Sequence, residues 1–127
     1  MQEKIIEKPS WEQIEAAIRL LNNQTKNDLY LHGGVNSWLC VGGGEGQYVL
    51  TGTANNDSFP VLVNPQKAST PKLVLIIGGQ AGEYSANCVH DLSQTLQATR
   101  DFYDFGGFSS ITSWSTDEQG LEQTDAR

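Results

Sequence analysis

Two segments of the chain carry hydrophobic residues at helical spacing, one near each end. The first is predicted to be a helix over about residues 11–22, because Ser10 and Gln13 have the spacing of a capping box and asparagines follow at its end. One face of this helix is apolar and must be buried in a folded domain. That face consists of Trp11, Ile14, Ile18 and Leu21.

The second segment, residues 91–105, is predicted to be a longer amphipathic helix. Asp91 and Gln94 have capping-box spacing at its start, and the glycines at 106 and 107 supply the left-handed conformation that ends many helices. Acidic and amide side chains occupy its polar face. The face predicted to be buried holds Leu92, Thr95, Leu96, Thr99, Phe102 and Tyr103.

Between these helices, short apolar segments alternate with turn-forming Gly, Asn, Asp and Pro. Connections this short favour antiparallel neighbours, since a parallel crossover needs about a dozen residues. The sequence therefore predicts an α+β fold: a single antiparallel meander sheet of about five to seven strands with two helices packed on one face, in the order helix, strands, helix, strand. The predicted strands are Leu29–His32, Ser37–Val41, Gln47–Gly52, Phe59–Val63, Lys72–Ile77, Glu83–Val89 and Ile111–Trp114.

The segment LVLII at 73–77 is apolar on both faces of its strand. The side of the sheet away from the helices is therefore expected to be covered by loops or offered to a partner. Two glycine runs, 42–46 and 78–82, lead into strands rather than helices and lack the Lys-Ser/Thr pair of a phosphate-binding loop. We interpret both runs as hairpin turns with positive-φ positions.

The chain has 127 residues and a formal net charge of −7. Its length predicts one domain, residues 1–116, followed by a polar acidic tail, residues 117–127. The negative charge disfavours binding to nucleic acid or to anionic membranes and favours a basic partner. The first ten residues are charged where a secretory signal needs an apolar core, and the longest apolar run is too short to span a bilayer, so we expect a cytosolic location.

The two histidines, His32 and His90, have no catalytic pattern around them, neither a nucleophile elbow nor a metal-spaced His/Glu pair. Cys40 and Cys88 lie in strand-like apolar contexts without the spacing of a zinc site, and we interpret them as buried thiols. We therefore expect no enzymatic activity, no metal and no cofactor.

An ordered set of short motifs runs through most of the chain. Phe102–Tyr103 is followed by Gly106 and Trp114, and is preceded by a helix and by GGQAGEY at 78–84. Upstream lie Tyr30 to His32, VGGGEG at 41–46, Tyr48 with Val49, and LVNP at 62–65. This set resembles immunity protein family 1 of bacterial polymorphic toxin systems over roughly residues 10–114. The residues that carry the structural motif are Gly42, Gly43, Gly44, Gly78, Gly79, Phe102, Tyr103, Gly106 and Trp114.

The resemblance implies a cytosolic protein that neutralises a cognate toxin by occluding its active site. Such a toxin would act on nucleic acid as a deaminase or nuclease, and its basic groove would be the surface that is bound. The implied protein contacts neither nucleic acid nor membrane directly and is a monomer or weak dimer when free. Two alternatives remain open. One is a small-ligand-binding or catalytic domain that uses the glycine turns and His32 or His90, and the other is a structural or regulatory dimerisation module that uses the apolar second face of the sheet.

Trp38 is the aromatic residue that the strand pattern places away from the core. Leu39 and Val41 occupy one pleat of their strand, so if they face the core, Trp38 and Cys40 face the opposite side. Carboxylates at strand turns would form an acidic edge able to meet a basic cleft. The predicted partner interface consists of Trp38, Glu45, Asp57, Glu83 and Tyr84.

Overall fold

The computed structural model describes residues 8–34, 36–54, 59–105, 108 and 114–115. This part of the chain contains two helices, α1 (Trp11–Arg19) and α2 (Leu92–Phe105), and a short 3₁₀ turn at Ala86–Cys88. Its strands are β1 (Asp28–Gly34), β2 (Ser37–Gly44), β3 (Gln47–Thr53), β4 (Val61–Leu62), β5 (Lys72–Ile77), β6 (Gln80–Ser85) and β7 (Trp114–Ser115).

The strands form a five-stranded sheet in the order β1-β2-β3-β4-β7 and a separate two-stranded hairpin of β5 and β6. Neighbouring strands are antiparallel in both. The predicted α+β fold with an antiparallel sheet is therefore confirmed. The structure adds that the β5–β6 hairpin lies outside the main sheet.

The main core lies between the two helices and one face of the five-stranded sheet. Both helices turn their apolar stripes toward the same strands, as predicted, because each has only one face to bury. The buried residues of this core are Ile14, Ile18, Leu21, Leu39, Val41, Tyr48, Leu50, Leu62, Ala98 and Phe102.

The start of α1 is the predicted capping box. The Ser10 hydroxyl accepts from the Gln13 backbone N–H at 3.2 Å, and the Gln13 side chain accepts from the Ser10 N–H at 2.9 Å. The helix ends at Arg19, three residues before the predicted end. The reason is Asn22, whose side-chain oxygen accepts from the backbone N–H groups of Gln24, Thr25 and Lys26 and so stabilises a loop in place of another helical turn.

The start of α2 is also confirmed, since Asp91 Oδ1 accepts from the Gln94 N–H at 2.8 Å. Phe102 is buried as predicted, but Tyr103 is 39% exposed. Tyr103 lies at the edge of the apolar stripe, where its ring packs against Trp11 and its hydroxyl donates to Pro9 O at 3.2 Å. The prediction that Tyr103 belongs to the buried face of α2 is wrong, because the buried face includes Ala98 instead.

The first glycine run forms a hairpin with positive-φ positions, as predicted, but the turn is shorter than the run. Gly42, Gly43 and Gly44 belong to β2, and the turn is limited to Glu45 and Gly46, which both have positive φ. A Cβ on Gly42 would lie 2.5 Å from Ile77 Cγ2, and one on Gly44 would lie 2.5 Å from the Asn22 backbone nitrogen. The glycines are therefore needed for close packing of the hairpin and of the loop after α1 against β2.

Further strand boundaries differ from the predicted ones. The second glycine turn is limited to Gly78 and Gly79, so β6 begins at Gln80. This strand ends at Ser85, and the 3₁₀ turn at Ala86–Cys88 follows where strand was predicted. Strand β4 contains only Val61 and Leu62 of the predicted Phe59–Val63. Trp114 is in a strand as predicted. Asp57, Gly106, Ile111 and the predicted tail at 117–127 lie outside the described residues.

Candidate functional site

The five-stranded sheet has an inner face, which contacts the helices, and an outer face. Leu39, Val41 and Leu50 point inward and are completely buried. Strand alternation then puts Trp38 and Cys40 on the outer face, as the sequence predicts.

One half of the outer face is covered by the β5–β6 hairpin. Ile77 packs directly over Gly42, and Leu75 is fully buried next to Gly43. We call this covered region the hairpin cluster. It consists of Val49, Leu75 and Val89, with Leu73, Ile77 and Tyr84 packed against them.

The other half of the outer face carries three aromatic rings. Tyr30 and Trp38 have ring centroids 5.8 Å apart with planes inclined by 60°, and Trp38 and Phe59 are 6.2 Å apart at 41°. Trp38 is half-buried between its neighbours, whereas Tyr30 is 53% exposed and Phe59 is 48% exposed. We call these three residues the aromatic cluster.

Strand register brings the cluster together. His32 lies opposite Trp38 and Tyr30 lies opposite Cys40, so Tyr30 and Trp38 are diagonal neighbours on one face of the β1–β2 pair. Phe59 is held next to β3 through the following residue, because the Pro60 carbonyl accepts from the Gly52 N–H at 3.2 Å and from the Thr51 hydroxyl at 3.0 Å. The rings therefore stand on a hydrogen-bonded sheet.

The Cys40 thiol lies opposite Tyr30 in the strand register and is buried. Burial raises the pKa of Cys40 to about 12, a nearby Asp28 charge adds to the increase, and a hydrogen bond from Tyr30 opposes it. Burial also raises the pKa of Cys88 to about 11. Both thiols are protonated near neutral pH, in agreement with their interpretation as buried core residues.

Of the predicted interface residues that the structure describes, Glu45, Glu83 and Tyr84 do not form one patch with Trp38. Glu45 is exposed in the β2–β3 turn, seven residues beyond Trp38, which corresponds to roughly 20 Å along a strand. Glu83 is exposed on β6, opposite Val74, and Tyr84 is half-buried within the hairpin cluster. Asp57 lies outside the described residues. In the described part of the chain, the ring of Trp38 contacts Tyr30 and Phe59 and not Glu45 or Glu83.

Sequence reasoning did not select Tyr30 or Phe59 for this face. A signal for Tyr30 was present, because Leu29, Tyr30, Leu31 and His32 alternate and the leucines belong inside. No comparable signal marked Phe59, whose position depends on the hydrogen bonds that Pro60 makes to β3.

A second feature is an open groove of about 380 Å³ beside the start of α2. His90 is buried at its base, and Nε2 lies 2.8 Å from Leu62 O. Since a carbonyl oxygen only accepts, Nε2 carries the proton in the neutral ring. Burial lowers the pKa of His90 below 6.5, the Leu62 hydrogen bond opposes this, and the Lys67 charge adds to it. The groove is also lined by Val63, Asn64, Pro65, Ser93, Gln94 and Gln97.

The described residues contain no group of three or more His, Cys, Asp or Glu side chains placed to hold a metal ion. Neither α1 nor α2 combines the length and the apolar character needed to cross a membrane. A scan against protein-family models and searches of curated proteins and of solved structures found no match.

Proposed function

We propose that this protein is a non-enzymatic immunity protein of the cytoplasm, which binds a toxin acting on nucleic acid and occludes its active site. The observation that carries this proposal is the aromatic cluster on the half of the outer face that the β5–β6 hairpin does not cover. The class of partner comes from the resemblance to immunity protein family 1 in Phe102–Tyr103, Trp114 and the glycine motifs.

The aromatic cluster has the chemistry of a protein-binding hot spot. Tryptophan and tyrosine are enriched among residues whose truncation costs most at interfaces, since they bury a large area with few rotatable bonds. Trp38 is already half-buried between two rings, so little of its side-chain freedom remains to be lost on binding. Tyr30 and Phe59 supply exposed ring surface on either side of it.

The charge of the chain favours the same kind of partner. A toxin that grips nucleic acid needs lysine and arginine around its groove. A protein with a net charge of −7 is attracted to such a groove, and this attraction raises the association rate. The same charge disfavours close association of two copies of this chain, so a basic partner is favoured over a dimer.

The test is co-expression with the product of the adjacent gene, followed by co-purification and a toxin-protection assay. The proposal expects a stable complex with the unaltered protein and weaker protection with Trp38→Ala. Val74→Ala is the matched control, because Val74 is 62% exposed on the hairpin, away from the cluster. Absence of both complex and protection would contradict the proposal.

The groove beside His90 favours a second candidate, a small-ligand-binding domain. Its side-chain amides, its hydroxyl and a buried imidazole provide donors and acceptors around an open space. A thermal-shift screen with small polar ligands tests this candidate. A saturable shift that His90→Gln abolishes would support it.

A further inference from the structure

The β5–β6 hairpin ends in a strand that has a neighbour on one side only. Within the described residues, β6 (Gln80–Ser85) pairs with β5 and with no other strand. A strand at the edge of a sheet presents backbone N–H and C=O groups with which another extended chain can pair. The outer side of β6 is therefore a candidate surface for strand addition.

The turn of the hairpin determines which residues of β6 present these groups. Gly78 and Gly79 both have positive φ, 65° and 81°, as in a two-residue type I′ turn, so the pair of residues that flanks the turn is hydrogen-bonded. Hydrogen-bonded pairs then alternate with non-hydrogen-bonded pairs along the antiparallel ladder. The backbone groups of Ala81 and Glu83 therefore point away from β5, and we call these groups the β6 edge.

The neighbouring strand shows the same alternation. Ile76 lies opposite Ala81, and its N–H also points out of the hairpin, where it donates to Asn23 Oδ1 at 2.7 Å. The loop after α1 thus engages an outward group of β5. No described residue forms an equivalent bond to the β6 edge.

The two edges of the main sheet have features that hinder strand addition. The register of β1 is interrupted between His32 and Gly34, and β7 has only two residues. In contrast, β6 has six residues, an unbroken register with β5, and neither lysine nor proline. Since bulges, short strands, lysine and proline commonly protect edge strands, β6 is the described edge best suited to receive another strand.

The exposed side chains of β6 select the chemistry of the added strand. Ala81 and Glu83 are exposed and alternate with Tyr84, which packs into the hairpin cluster. Both ion pairs among the described residues lie within helices, so neither uses Glu83. A cation directly opposite Glu83 stabilises strand pairing, whereas a second carboxylate weakens it. We propose that the β6 edge pairs with an extended segment of a protein partner that places lysine or arginine opposite Glu83.

A second copy of this chain fits the β6 edge less well. Strand β6 has no lysine or arginine of its own to place opposite Glu83. Two chains that each carry a net charge of −7 also repel each other. The inference goes beyond the proposed function, because it assigns a surface on the hairpin and not in the aromatic cluster.

The test uses the isotope-labelled full-length protein and blocked heptapeptides of the form Thr-Val-Thr-X-Thr-Val-Thr. X is lysine in the first peptide and glutamate in the second, and the third is the lysine peptide N-methylated at X and at both valines. The lysine peptide should move the NMR amide signals of Ala81 and Glu83 saturably and slow their hydrogen exchange, because both N–H groups enter a ladder. The glutamate peptide should bind about threefold more weakly, and the methylated peptide should not slow the exchange.

Glu83→Lys and Glu45→Lys form a matched pair of variants. Both replace an exposed carboxylate and change the net charge equally, but only Glu83 belongs to the β6 edge. Glu83→Lys should weaken binding of the lysine peptide by about threefold and reverse the preference toward the glutamate peptide. Glu45→Lys should leave both affinities unchanged. Circular dichroism melts check the folding of each variant, and the comparison of peptides on the unaltered protein does not depend on either.

Four results would each overturn the inference. They are equal binding of the methylated peptide, equal effects of the two variants, saturable signal changes confined to residues outside β6, and no saturable change at all. Exchange of the Ala81 and Glu83 amides that slows with protein concentration in the absence of peptide would assign the edge to a second copy and also contradict it. These experiments contain no toxin, so their outcome is independent of the proposed function.

Discussion

The two halves of the outer sheet face differ in what covers them. On one half, Leu75 and Ile77 of the hairpin fill the space above Gly42 and Val49. On the other half, Trp38 stands between two rings that are each about half exposed. The covered half contributes mainly to the stability of the fold, whereas the open half keeps apolar surface available for a partner.

The hairpin ends at the boundary between these halves because side chains of the loop after α1 hold it there. Asn23 Oδ1 accepts from the Ile76 N–H at 2.7 Å, and Asn27 Oδ1 accepts from the Gly79 N–H at 3.0 Å. These bonds attach β5 and its turn to residues next to the start of β1. The cover is therefore fixed in position and leaves the aromatic cluster exposed.

The largest effect on stability is expected from the covered half. Leu75→Ala removes a fully buried side chain and should lower the free energy of unfolding by about 3 kcal/mol. The neighbouring Val74→Ala is the control, because its side chain is 62% exposed and should cost less than about 1 kcal/mol. Urea denaturation measures both, and equal losses would show that the hairpin does not cover the sheet as described.

Trp38→Ala tests the open half. It should weaken toxin binding by roughly 2 kcal/mol or more, mainly through faster dissociation, if Trp38 is a hot spot. Surface plasmon resonance with the purified toxin gives the two rate constants. A circular dichroism melt of the variant serves as the folding control. An unchanged dissociation rate for a folded variant would show that Trp38 is not part of the interface.

The stability of the fold is expected to depend on pH through His90, which is buried beside α2. The folded-state pKa of His90 lies below 6.5, chiefly through burial and with a contribution from Lys67, while the Leu62 hydrogen bond, Gln94 and the Asp91 charge oppose the decrease. The unfolded chain therefore takes up a proton that folded His90 resists. Stability should be complete above about pH 6.5 and should fall as the pH drops toward the folded-state pKa, by at most about 1.4 kcal/mol per pH unit.

His90→Gln should reduce this loss between pH 7.5 and pH 5.5. His32→Gln is the comparison variant, because it removes the same type of side chain from an exposed position opposite Trp38. Thermal melts of both variants at the two pH values are the measurement. If the His90→Gln variant loses as much stability between pH 7.5 and pH 5.5 as the unaltered protein, the pH dependence comes from other groups.

The smallest effect on stability is expected from the exposed carboxylates Glu45 and Glu83. Reversing Glu45 and Glu83 to Lys should change the free energy of unfolding by only about 0.5 kcal/mol, because both side chains are exposed. The same double reversal should slow association with a basic toxin, and added salt should reduce the difference. Association rates over a salt series test this expectation, and a rate independent of salt would place the interface away from these charges.

Much of the fold could be predicted because its signals are local. The caps at Ser10 and Asp91, the two apolar stripes and the short connections define the helices and the antiparallel strands. The errors occurred where distant residues decide the structure. Gly42 and Gly43 lie against a hairpin from later in the chain, and Gly44 lies against the loop after α1. These contacts cannot be read from the glycines themselves.

The candidate site was predictable to a similar extent. Strand alternation correctly placed Trp38 on the outer face, since that inference needs only its immediate neighbours. It could not identify Phe59, which reaches Trp38 through a loop and the hydrogen bonds of Pro60. Nor could it show that Glu45 lies at the far end of β2, because the length of that strand depended on the misread glycines.

The central claim is that the open half of the outer face is the binding surface. It is tested most directly by comparing the affinities of Phe59→Ala and Phe105→Ala for the purified toxin. Phe59 is 48% exposed within the aromatic cluster, and Phe105 is 76% exposed at the end of α2. The account predicts about tenfold weaker binding for Phe59→Ala and an unchanged affinity for Phe105→Ala, whereas the opposite ranking would move the interface to α2 and contradict it.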